Sequence, residues 1–413
     1  HSIEVMNILE KLSRFEGKIK NTSYYVTQGL NETQAIDKHI MEKTKNDEGF
    51  NNYHFIFCGP NLYVSNPLYQ STKNTNAYNS ISLDLINESY APISNFTPST
   101  DIVSYKHFIK SPNDDTLEKG LWIDRYKIGF RKMLDNGMER TLSGAIIPPK
   151  TSHTHGIISC DFDFLPALVE IEGLTSSVIL DFFIKTNGAD NLMEGRISTL
   201  PFGIDSKYKP ALFSRTLLLN CLTTHYADLW QEMWDGAYKN ETWSLRDKRL
   251  KPFDQLHETW SWDIPLRNYF ERRQALVEID VISAMALGLS LQDLEMIYTI
   301  QFPVLQQNEN DTWYDAEGKI VFTCSKGLTG VGLDRKQWEA MRGEPNTPNN
   351  PNNPNTPITS YKGSTATYVH TIDPSKSELY GGQQQTFVAP YTRCDRIADY
   401  RRAWAHFEKI YNK

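Results

Sequence analysis

The sequence predicts an α+β fold, in which a mixed-sheet region is followed by a helical region and a small C-terminal module. Three observations predict it. Aromatic and β-branched residues concentrate in 120–147, and apolar residues recur at three and four through 212–234 and 267–300. The run NTPNNPNNPNTP from Asn346 to Pro357 then sets apart a last segment, because its prolines and asparagines cannot bury a core. A chain of 413 residues, 39% hydrophobic and 23% charged, has room for two or three cored units. The predicted segments are 1–52 (helical lead-in and linker), 53–207 (mixed α/β), 208–305 (helical) and 306–413 (C-terminal extension with the loop at 346–357).

Taken in order, Ile3, Met6, Ile8, Leu9 and Leu12 have helical spacing, and the polar stretch to about Asn52 reads as short strands and loops. His1 is not a natural start and this helix is entered midway, so the chain is expected to be a piece of a longer protein. Short strands are expected at 53–58, 61–64 and 81–86. Two more, within 120–147, are joined by the turn Asp135-Asn136-Gly137 and stopped by Pro148-Pro149. Residues 174–186 suit a buried helix between Gly173 and Asn187-Gly188. Gly288 breaks the 267–300 pattern into two helices, with Ser290 and Asp293 as the cap of the second. A terminal amphipathic helix over 395–411 docks by Tyr400, Trp404, Phe407 and Ile410.

Composition narrows the function. No run of about 18 apolar residues exists, so membrane insertion is not indicated. Cys58, Cys160, Cys221, Cys324 and Cys394 are scattered and never form a Cys-x-x-Cys pair; a reducing cytoplasm fits this better than a disulfide framework or a zinc ribbon. The net charge of -7 argues that any nucleic-acid contact is local. One stretch departs from that sign. Between Gly120 and Gly156 stand Arg125, Lys127, Arg131, Lys132, Arg140 and Lys150 against Asp124, Asp135 and Glu139, a surplus of three positive charges beside His153 and His155. It is the best candidate for a phosphate-facing surface, the competing reading being an ordinary mixed-charge sheet face.

The other motifs read as structure. Asn66-Pro67-Leu68-Tyr69 is one residue from the Asn-Pro-Pro-Tyr loop that holds a flipped adenine, and is expected to be a turn. Asp161-Phe162-Asp163 lacks the Glu-x-Lys that a metal-dependent nuclease needs, and Asp311 with Asp315 flanks the loop anchors Trp313 and Tyr314. Phosphate-loop and His-Glu-x-x-His motifs are missing from the sequence, and the His153-Thr154-His155 pair lacks further metal ligands nearby.

Several phrases occur in a telling order: FCGPNLYVSNPLY from Phe57, RKMLDNGMERTLSGAIIPP from Arg131, then His153, then GLTSSVILDFFIKTNGADNLMEGRISTLPF from Gly173. ALVEIDVISAMALGLSLQDLEMIYTIQFPVL from Ala275 and DTWYDAEGKIVFTCSKGLTGVG from Asp311 follow, with a weaker echo at 393–407. This order resembles the target-recognition and C-terminal region of large adenine-specific DNA methyltransferases, of the type IIG restriction-modification and DISARM-like phage-defence kinds. The resemblance implies a part that clamps double-stranded DNA for a methyltransferase domain outside this chain. S-adenosylmethionine would belong to that domain, and no cofactor to this segment. It also implies that Arg140, Thr141 and Leu200-Pro201 lie in the recognition sheet. Arg131, Lys132, Arg140, Lys150, His153 and His155 would be DNA contacts, with Lys185 and Arg196 flanking them. Two other classes compete. The 210–300 helices could be a scaffold that docks a defence-system helicase or nuclease subunit, and the 12% aromatic content could serve sugar stacking if the nine tryptophans are exposed.

Overall fold

The computed structural model describes residues 2–72, 78–110, 120–346, 360–363 and 366–412. The predicted insert therefore lies outside the described residues except for Asn346.

The main sheet has four antiparallel strands in the order Tyr24–Thr27, Ile157–Phe162, Lys127–Arg131, Gly144–Ile147. Side chains alternate across it. Ile128, Phe130, Ile146, Ile158 and Cys160 enter the largest apolar cluster, while Ala145, Ile147 and Ile157 enter a second one with Phe55, Phe57 and Leu68. Both faces are thus covered. Gly129 is required where the strands pack: a Cβ there would sit 2.3 Å from Ile147 Cδ1. The turn at Asp135 forms as expected, its carboxylate accepting from Gly137 N at 2.9 Å.

Against the sheet lies a helical layer. Leu165–Thr175 precedes Val178–Lys185, the helix expected over 174–186, which starts later because Ser177 caps it through Leu180 N. Gly173 sits inside the first of them, against Leu212 and Thr216 of Lys209–Asn220. Tyr269–Ala286 and Leu291–Gln301 break at Gly288 (φ 76), and Ser290 with Asp293 forms the expected capping box. Tyr269–Ala286 buries charges as well as apolar groups, three of them in ion pairs: Arg273 with Glu309 and Asp399, Asp280 with Arg396, Glu278 with Arg215.

The C-terminal module has a small sheet ordered Ile320–Thr323, Thr312–Tyr314, Tyr391–Thr392, Ser360–Tyr361, around Trp313, Trp338, Tyr361 and Phe387. The terminal helix Arg396–Tyr411 returns to the main layer through buried Tyr400 and Phe407, whereas Ile410 stays 44% exposed.

Elsewhere the local pattern misleads. The segment 61–64 begins in the short helix Gly59–Asn61 and leads into a turn, and 81–86 is a loop. Ile81, Leu83 and Ile86 are buried because they fill the second apolar cluster, not because they sit in a ladder. The lead-in is no separate unit, since it supplies the edge strand Tyr24–Thr27, and the largest cluster runs from Ile8 to Phe407 through all four predicted segments. Among the described residues no helix is long and apolar enough to cross a membrane.

Candidate nucleic-acid interface

Residues 28–31 run beside 153–155, with Leu30 N donating to His153 O and His155 N to Leu30 O, each at 2.9 Å. Gly29 permits this crossing: its φ is +67, and a Cβ would fall 2.3 Å from His153 Nδ1. His153 is consequently sealed below. Its Nδ1 donates to Thr154 O at 3.0 Å, leaving Nε2 to accept from the Ser159 hydroxyl at 2.7 Å. Burial pushes its pKa down to about 3, so the ring is neutral at physiological pH.

This placement corrects the expectation that His153 faces phosphate, and two arginines need the same correction. Arg140 is buried, its Nε donating to Asp181 Oδ2 at 2.6 Å and its Nη2 to Ser176 O at 2.9 Å. Arg131 directs Nε to the carbonyls of Gly59 and Leu62, at 3.1 and 2.8 Å, and places its guanidinium against the rings of Tyr63 and Tyr69. Both cations hold the fold together. So do the basic residues beside them: Arg125 pairs with Asp161, and Lys127, fully buried, is pushed down to about 7 by desolvation.

The remaining predicted residues reach solvent. Lys132 Nζ donates to Gln28 Oε1 at 2.8 Å, and its backbone N–H to Gly156 O at 3.0 Å, which sets it next to half-buried His155. His155 lines an open groove of about 440 Å³ that also holds Gln28, Asn31, Gln34 and Lys110. Lys132, Lys150, Lys185 and Arg196 are not among that groove's lining. Lys150 is exposed at a left-handed turn (φ 63), Lys185 donates to Asn136 O at 2.9 Å, and Arg196 is half-buried on the short helix Glu194–Ile197.

Sequence reasoning missed Gln28, Asn31, Gln34 and Lys110. The one local signal was Asn31, which caps the helix Glu32–Asp37 by accepting from Gln34 N at 3.1 Å. The acidic motifs are structural: Asp311 pairs with Arg335 at 2.7 Å, and Asp315 accepts from the backbone N–H groups of Glu317, Lys319 and Val388. Asn66 closes its turn on Leu68 N at 3.0 Å, and Tyr69 Oη donates to Gly327 O at 2.5 Å. None of the nine tryptophans is exposed, so the sugar-stacking reading loses its platform.

No protein-family model matches the chain, and no curated protein sequence matches it significantly.

Proposed function

We propose that the chain is the DNA-target-recognition and C-terminal region of a bacterial N6-adenine DNA methyltransferase of the restriction-modification or phage-defence type. It would hold duplex DNA for a methyltransferase domain outside this chain. The observation that supports the reading is one open groove lined by Lys110 and His155 with the amides of Gln28, Asn31 and Gln34, beside which Lys132 donates to Gln28. Lysines are point-charge partners for phosphates, while Gln and Asn offer the paired donor and acceptor that read adenine edges. The main sheet is antiparallel throughout. On this reading S-adenosylmethionine would be held by the methyltransferase domain.

The test is duplex binding by fluorescence anisotropy, titrated between about 50 and 200 mM salt. Binding should weaken with salt, and the double variant Lys132→Glu/His155→Glu should bind at least tenfold more weakly at low salt while melting like the parent. Absence of duplex affinity at low salt, or a double variant that binds as well as the parent, overturns the reading.

A further inference from the structure

A second cavity, of about 170 Å³, lies where the sheet region meets the C-terminal module. Five separate stretches build it: the turn at Tyr63–Tyr69, Glu139 with Arg140, the helix Tyr269–Ala286, residues 305–328, and Arg396 of the terminal helix. Its wall contains several cations, all spent within the protein. Arg273 and Arg396 pair with Glu309, Arg140 with Asp181, and Arg272 donates to the carbonyls of Ser65, Leu219 and Leu266. Glu139 differs. Among the described residues it is the one carboxylate in the wall without an ion pair, and its Oε2 accepts only from Asn308 Nδ2 at 2.8 Å and Ser325 Oγ at 3.4 Å. Protein surrounds this carboxyl, although the residue as a whole is only half-buried, and Glu139 lines the cavity. Burial moves its pKa upward, toward the neutral acid that both donates and accepts.

The Tyr63 and Tyr314 rings line the same cavity, both enclosed by protein, with Tyr314 6% exposed. A carboxyl without an ion pair that faces such a cavity offers a place to a hydrogen-bonding partner from outside the chain. The apolar side chains of Leu276, Leu305, Ile320 and Leu328 share the wall with Asn66, Thr312 and Thr323. An apolar cavity of about 150 Å³ admits benzene, which sets the size at one ring.

We propose that this cavity is a binding site for an uncharged, one-ring heteroaromatic amide, the class that includes nicotinamide and the pyrimidine bases. The ring lies against Leu276 and its neighbours, and the amide edge pairs with Glu139. Asn308 and Ser325 hold that carboxyl in place as positioning residues. A negatively charged analogue is rejected, since it would be desolvated beside Glu139 and Glu309 with every wall arginine already engaged. The inference is independent of the DNA reading.

Nicotinamide, benzamide, cytosine and uracil are the probes, with nicotinate and benzoate as charged counterparts, tested by saturation-transfer NMR and calorimetry on the whole chain. At least one neutral probe should bind, at least tenfold more tightly than the charged analogues. Leu276→Phe, which fills the cavity, should abolish that binding, as should Glu139→Leu, while Glu139→Gln, which keeps a donor and an acceptor, should retain it. Failure of all four neutral probes means that the cavity holds water only and overturns the proposal. Equal binding of amides and carboxylates, or binding that survives both Leu276→Phe and Glu139→Leu, overturns it as well.

Discussion

Glu172 offers the sharpest test of how burial governs this fold. It lies on the helix Leu165–Thr175 with no side-chain exposure to solvent, and no cation pairs with it. Oε1 accepts from Ser65 Oγ at 3.1 Å and Ser176 Oγ at 3.4 Å, while Oε2 has no partner. Burial outweighs these hydrogen bonds and pushes the pKa from its ordinary 4.5 to about 8. The sign follows by linkage: below pH 4.5 the folded and unfolded chains both carry the proton, and between 4.5 and about 8 only the folded chain keeps it. Stability is therefore fully present at low pH and falls as pH rises through that window. The gap of about 3.5 pH units, at ~1.4 kcal/mol each, amounts to a loss on the order of 5 kcal/mol by pH 8. Glu172→Gln preserves the shape and cannot ionise. Urea midpoints of both proteins from pH 4 to 9 should be close at the acid end and diverge in favour of the variant toward pH 8. A difference that stays flat with pH, or a wild type that is more stable at pH 8, refutes the reasoning.

Other outcomes follow from the same geometry. Arg140→Met leaves Asp181 buried at 0% exposure without its cation, and should cost about 3–5 kcal/mol in chemical denaturation. Gly173→Ala should destabilise by about 1–3 kcal/mol, because its Cβ would meet Thr216 Oγ1 at 2.6 Å and Leu212 Cδ1 at 2.8 Å, more than the gain in helix propensity offsets. His153, held near 3 by burial, resists protonation in the fold but not when unfolded. Stability should therefore drop as pH falls from 6.5 toward 3, and His153→Asn should remove that part of the acid sensitivity in melts across this range.

What the sequence disclosed was whatever is decided locally. The strands around Asp135-Asn136-Gly137, the break at Gly288 and the cap at Ser290 depend on neighbours within a few residues, and each stands where it was expected. Ile81, Leu83 and Ile86 show the converse, since strand-like residues become loop when distant segments cover them. The candidate contacts divide in the same way. Arg140 meets Asp181 and Arg131 meets the 59–69 loop, partners that counting charges within 120–156 could not supply. The groove is equally non-local, because it forms only when 28–34 settles beside His155.

That division makes a quantitative statement about DNA binding. Six basic residues crowd 120–156, and if all of them met phosphates, log K against log salt would fall with a slope of about -5, at ~0.9 per phosphate. Four of them are engaged inside: Arg125 with Asp161, Arg140 with Asp181, Arg131 with carbonyls and tyrosine rings, and Lys127 buried with its charge held down to about pH 7. Lys132 and Lys150 remain; Lys132 adjoins the groove through Gln28, Lys150 is not in its lining, and Lys110 lines it. Lys132 with Lys110 gives a slope of about -2, and Lys132→Gln should reduce it by about one whatever the duplex sequence. Arg131→Gln should lower the melting temperature and leave the slope unchanged, because its guanidinium supports the Tyr63–Tyr69 turn and does not face solvent phosphate. A slope near -5, or one that Arg131→Gln reduces without loss of stability, would place the interior cations on the DNA and contradict the assignment of the groove.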